Sequence, residues 1–146
     1  MAVITYLGNG FSLLVPADWD RLATVNHVAV FLGPAADGIR SSISLSRFAG
    51  RADGAAESAR VDHGDRYHNY EILFESPGID SFYRRYTWKL NETRILQHQL
   101  FAPGLLLTCS RAGSSVADEK VFRKAIASLR VGTNPVSPLE ERATRQ

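Results

Sequence analysis

Along residues 81–110 apolar side chains fall on both sides of three successive strand-like segments, with polar amides set among them. Alternation over residues 81–89 sends Phe82, Arg84, Tyr86 and Trp88 to one side and Tyr83, Arg85 and Thr87 to the other. Beyond Asn91 and Glu92, Ile95, Gln97, Gln99 and Phe101 alternate against Leu96, His98 and Leu100. A two-residue loop at Asn91 and Glu92 would set Trp88 opposite Ile95 and Tyr86 opposite Gln97. Pro103 and Gly104 break the chain before residues 105–110, an apolar run suited to an interior strand. A sheet with two apolar faces needs two covers, and what covers the second face is the functional question.

Upstream, the first residues enter a strand pattern, and Gly8, Asn9 and Gly10 form a plain turn ahead of the alternating Phe11, Leu13 and Val15. Trp19 is expected to plug an edge of the core. Residues 27–33 are apolar on both sides, with Val28, Val30 and Leu32 against Ala29 and Phe31. Residues 42–48 set Ile43 and Leu45 between serines, the pattern of a half-exposed strand. Asp53 is a candidate cap for a helix running to about His68, whose apolar face is thin: Ala55, Ala56, Ala59 and Tyr67, with Gly64 as a weak point. A strand over residues 70–74 and a turn at Pro77 and Gly78 lead back to the hairpin. Ser114 or Ser115 caps a last helix carrying a stronger stripe of Val121, Phe122, Ala125, Ile126 and Leu129, which packs on the sheet.

The pattern has no internal repeat and predicts a single α+β domain over residues 1–131, an antiparallel sheet flanked by helices, followed by a loose tail over residues 132–146. A length of 146 residues suits one domain with one substantial core. No run approaches the roughly 20 apolar residues that a membrane-crossing helix needs. The start of the chain lacks a signal-peptide pattern, so a cytoplasmic location is expected. The net charge of +2 is too balanced to point to nucleic acid.

A single cysteine, Cys109, allows no internal disulfide and no multi-cysteine metal site. Cys109 with His98 is the sharpest nucleophile-base pair, to be weighed against ordinary packing. No Gly-x-Ser-x-Gly elbow occurs. His63 and His68 stand five apart and do not share a helical direction, which points to a solvated, charged helix face and no metal site. No cofactor is expected. Tyr83, Arg84, Arg85, Tyr86 and Trp88 read either as a base-stacking platform or as core aromatics with two surface arginines. Gln97 and Gln99 fall on the side of Tyr86 and Trp88. Either their amides reach solvent at the sheet surface, or they belong to an apolar groove and bond what enters it, since a buried unbonded amide is costly.

The segment Phe11-Ser-Leu-Leu-Val-Pro-Ala-Asp-Trp19, the later Ile39-Arg-Ser-Ser-Ile-Ser-Leu-Ser-Arg47, Tyr86-Thr-Trp88 and Gln99-Leu-Phe101 resemble, in the same order, the DcrB-like branch of the PsbP-like fold. Within that branch the chain is most similar to the Eag-type chaperones of type VI secretion effectors. The resemblance covers about residues 3–131. It implies an antiparallel sheet flanked by helices and a non-enzymatic, cytoplasmic, usually dimeric chaperone that shields the apolar N-terminal transmembrane segments of an effector. By position, Val28 and Val30 resemble the apolar strand residues of the family's concave surface, and Gln99 resembles a polar residue that bonds the held helix. The groove is accordingly expected to comprise Val28, Val30, Ile43, Gln97 and Gln99. A carrier of a lipid or other small apolar ligand is the alternative, and an enzyme built on Cys109 and His98 a third.

Overall fold

The computed structural model describes residues 2–136, which form eleven strands and two α-helices. The hairpin of β7 (Phe82–Leu90) and β8 (Thr93–Ala102) has the register that alternation predicts, Trp88 opposite Ile95 and Tyr86 opposite Gln97. Asn91 takes the left-handed backbone conformation, at φ 56°, that so short a loop demands. The remaining elements are β1 (Val3–Gly8), β2 (Phe11–Pro16), β3 (Asp20–Leu22), β4 (Ala29–Ala36), β5 (Ile39–Arg47), α1 (Ala52–Arg66), β6 (His68–Pro77), β9 (Leu105–Ala112), a 3-10 turn (Val116–Asp118), α2 (Glu119–Ser128), β10 (Arg130–Val131) and β11 (Asn134–Pro135).

The single sheet expected from the sequence is two. Seven strands in the order β3-β4-β5-β9-β8-β7-β6 make the main antiparallel sheet, and β1-β2-β10-β11 make a smaller one. The smaller sheet and α2 together cover the first face of the main sheet. Phe11, Leu13 and Val15 of β2 and Val121, Phe122, Ala125, Ile126 and Leu129 of the α2 region interlock there with Phe31, Ile43, Leu45, Leu100, Leu107 and Cys109. Each fully buried aliphatic or aromatic side chain contributes about 1.5–3 kcal/mol, so this layer dominates the stability. Trp19 fills one edge of it as expected, its ring edge-on to Phe122. Gly33 is required beneath that ring, because a Cβ there would stand 2.4 Å from the indole.

The second face carries α1, whose buried residues are Ala52, Ala56 and His63. A small cluster of Ala52, Ala56 and Phe101, flanked by Phe48, Phe82 and Leu106, seats its first half. Three expectations about helix ends change. Arg51, not Asp53, is the N-cap residue of α1, and Asp53 instead pairs with Arg51 inside the first turn. His68 opens β6 and does not extend the helix. Ser115 precedes the 3-10 turn and donates to the buried Asp118 carboxylate, which also accepts from the Ser41 hydroxyl. Residues 132–136, expected to open a loose tail, are ordered into the fold, since Asn134–Pro135 pair with Arg130–Val131 and Val136 is buried in the first core. The rest of that expected tail, residues 137–146, lies outside the described residues.

Candidate binding site

Two rows of side chains cross the second face from strand to strand. Register aligns Leu32, Ser42, Ser110, Gln97 and Tyr86 in one row, and Val30, Ser44, Thr108, Gln99 and Arg84 in the next. A third row runs Ser46, Leu106, Phe101, Phe82. Side chains directly opposite in neighbouring strands share a face, so these rows are contiguous floors. Helix α1 lies over β6, β7 and β8. On the two central strands beside it, Ser42, Ser44, Ser46, Leu106, Thr108 and Ser110 are all partly exposed, which marks this half of the face as open.

Because α1 has little apolar surface of its own, polar and aromatic anchors hold it. Arg84 is 2 % exposed, although alternation in a charged stretch suggested a surface arginine. Its Nη1 donates to the Ala56 carbonyl at 2.7 Å and its Nε to Glu75 at 2.8 Å. Near the other end Tyr67 stacks on Trp88, with centroids 4.2 Å apart, and His63 packs among Tyr67, Tyr70 and Tyr86. His63 is thus buried, contrary to the solvated helix face expected of it, and burial lowers its pKa below the ordinary histidine value. Asp62 and Arg66 form an ion pair on the solvent side of the same turn.

The five residues expected in the groove divide. Val30, Gln97 and Gln99 lie together on the second face. Ile43 does not: it is fully buried in the first core, opposite Phe31 and Cys109 in register. Val28, just before β4, also packs against the first core. The serines flanking Ile43 line the open floor in its place, because alternation that buries Ile43 and Leu45 must turn Ser42, Ser44 and Ser46 the other way.

The two glutamines differ in how well they are satisfied. Gln97 accepts from the Trp88 indole N–H at 3.1 Å and donates to Ser110 at 3.2 Å. Gln99, 6 % exposed, donates from Nε2 to Thr108 at 3.4 Å, while its Oε1 is buried with no hydrogen-bond partner. A buried unsatisfied carbonyl costs about 1–3 kcal/mol, so this oxygen at the margin of the open floor is left unsatisfied at a cost. The Nδ1 of His63 and the hydroxyl of Tyr70 are likewise buried without partners beneath α1.

Cys109 and His98 face each other across β9 and β8, on the first face. The thiol is completely buried and desolvation pushes its pKa far above the ordinary thiol value, which disfavours the thiolate that a nucleophile needs. His98 belongs instead to a buried polar chain. Its Nδ1 lies 2.6 Å from the Tyr83 hydroxyl, its Nε2 3.0 Å from Glu119, and Arg111 donates to the same carboxylate at 3.1 Å. Burial pushes the Glu119 carboxyl up, but the hydrogen bonds and charges of His98 and Arg111 outweigh it and hold the group at about 2. Ionised Glu119 can only accept, so Nε2 of His98 donates to it, while Nδ1 shares a hydrogen bond with the Tyr83 hydroxyl. Burial raises Tyr83 to about 12, so its hydroxyl stays protonated. Among the described residues no group of three histidine, cysteine or acidic side chains is placed to hold a metal ion. No helix among them is long and apolar enough to cross a membrane.

No protein-family model matches the chain, and no curated protein sequence matches it significantly. Solved structures do. The solution structure of cyanobacterial PsbP (CyanoP) from Synechocystis sp. PCC 6803 superposes with a TM-score of 0.57 at 16% identity, covering 89% of this chain and 92% of that one. The crystal structure of PA94, a protein of unknown function from Pseudomonas aeruginosa, gives 0.54 at 18% identity, covering 86% and 94%. The chain therefore has a PsbP-like α+β fold.

Proposed function

We propose that this protein is a non-enzymatic chaperone of the DcrB-like, Eag-type kind, which works in the cytoplasm as a homodimer and shields an apolar N-terminal transmembrane segment of a type VI secretion effector on the open half of the second face. The observation that carries the reading is the bare, buried Oε1 of Gln99 beside a floor of small hydroxyl side chains. Apolar helices pack closely where the opposing residues are small, and Ser42, Ser44, Ser46, Thr108 and Ser110 keep this floor low. Val30, Leu32 and Leu106 supply apolar contact at its margins. The backbone N–H groups of a held helix are already bonded internally, so the donor for Gln99 is a side chain of the client: a serine, threonine, asparagine or glutamine within its apolar stretch. Water would otherwise surround that stretch, and covering it is the service performed.

Co-expression with the N-terminal region of a secretion effector bearing such a segment, followed by affinity capture and native mass spectrometry, tests the reading. A complex that disappears when the apolar segment is deleted is expected. Gln99→Leu should weaken it about tenfold, equivalent to ~1.4 kcal/mol, while leaving the fold intact. A protein that emerges without the effector but loaded with lipid would replace this reading with that of a small-ligand carrier.

A further inference from the structure

On the first face, beside α2, two adjoining hollows share Arg85. The larger, about 300 Å³, is lined by Arg85, Arg94, Arg111 and the Arg111-paired Glu119, with Leu73, Thr87 and Leu96 among its walls. The smaller, about 130 Å³, takes Arg85, Arg123 and His98. Four arginines from β7, β8, β9 and α2 thus line the two hollows, Arg94 and Arg111 in the larger, Arg123 in the smaller and Arg85 in both, in a chain whose formal net charge is only +2.

Their neutralisation is incomplete. Arg111 is fixed by Glu119 and by the carbonyls of Ala112 and Gly113, and the remaining reach of Glu119 is taken by His98. Among the described residues, Arg85, Arg94 and Arg123 have no acidic group within ion-pair distance. Arg85 is half-buried and rests over the Phe74 ring at 5.6 Å, and Arg94 reaches only the Thr87 hydroxyl at 3.5 Å. The strand edge is also bent to suit the hollow. A register shift between Ile72 and Phe74 lets Leu73 line the larger hollow while the adjacent Phe74 packs into the first core. Bulges of this kind commonly re-aim a side chain beside a site.

We infer that the larger hollow binds a small organic phosphate, its phosphoryl oxygens on Arg85 and Arg94 and its apolar portion on Leu73 and Leu96. Guanidinium groups match phosphate oxygens through paired N–H donors, and two that lack carboxylate partners favour a dianion over a single carboxylate. The cleft lies on the opposite face of the sheet from Gln99, so it stands or falls independently of the chaperone reading.

Calorimetric titration of the full chain with phenyl phosphate and with inorganic phosphate, at low ionic strength, tests it. Phenyl phosphate is expected to bind at least tenfold more tightly than inorganic phosphate, because only the ester has a ring to cover the leucines. Arg85→Gln and, separately, the exposed-site variant Arg94→Gln should each weaken both ligands by tenfold or more. Arg47→Gln, at an exposed arginine whose guanidinium bonds the Asn9 carbonyl elsewhere, should leave them unchanged. Binding by neither phosphate, equal affinity for the two, displacement by equimolar chloride, or equal losses in the Arg47 control would each overturn the assignment.

Discussion

The two faces of the main sheet are covered by opposite means. On the first, α2 and the small sheet press large aliphatic and aromatic residues into a continuous core, and the polar groups caught in it, such as His98 and Glu119, are mutually bonded. On the second, α1 contributes little beyond alanines, and three buried polar atoms on this side, of His63, Tyr70 and Gln99, have no partner. The first cover is a structural commitment, since leaving exposes much apolar surface. The second is anchored at points, chiefly by Arg84 and by stacked aromatics, and leaves half of its face free. On the proposed function that asymmetry has a use: the rigid face carries the stability, and the lightly covered face is left for the client.

The contrast can be broken most forcefully from the first face. Phe122→Ala should lower global stability by about 3–5 kcal/mol in urea unfolding, because it empties the centre of a packed layer. A loss below ~1 kcal/mol would mean that α2 is no firmer than α1. Next in size, Arg84→Met removes the bonds to the Ala56 carbonyl and Glu75 and should cost about 1–3 kcal/mol. Hydrogen exchange should report that loss mainly in α1 amides, with β2 and α2 amides slowed or hastened little. Gly64→Ala should stabilise by about 0.5–1 kcal/mol, since a Cβ there meets nothing within 4 Å and the helix interior gains a better helix former. The effect belongs to α1 exchange and should be absent from α2.

The gentlest probe is pH. Burial depresses the pKa of His63, so its contribution is complete above the unfolded histidine value of about 6.5 and is lost as pH falls through the lower folded value. Asp62 opposes that depression, while Arg66 and Arg84 add to it. Glu119, held at about 2, contributes fully above about 4.5 and loses its contribution only as pH falls towards 2. Acidification from pH 7 to 5 should therefore hasten exchange in α1, after correction for intrinsic rates, before it touches the first face. Simultaneous loosening of both would contradict the division.

Much of the main sheet was legible from period alone. The hairpin register, the strand over residues 105–110 and the stripe of α2 all follow from spacing, because each strand or helix has long apolar partners that enforce its phase. The site was less legible for a specific reason. A search for an apolar groove favours Ile43 and Val28, yet the sheet spends both on its first core and turns serines to the open side. The readable signal was the run of small hydroxyl residues at 42, 44 and 46, matched by Thr108 and Ser110 one strand away. Arg84 misleads for a similar reason: a charged residue in an alternating strand looks solvated, and only the overlying Ala56 carbonyl and Glu75 explain its burial. The arginine cleft has no spacing signature, since residues 85, 94 and 111 come to line one hollow only through the fold.

Cys109 sits at the middle of all this with 0 % exposure, on the first-face side of a central strand. Its thiol is consequently a built-in clock. A small alkylating reagent reaches it only from conformations in which the first core has opened, while departure of α1 uncovers the other side of the sheet and leaves the sulfur silent. Labelling kinetics under native conditions would time the rare opening of the whole molecule, separately from any breathing of its lightly held helix, without a single residue having been changed.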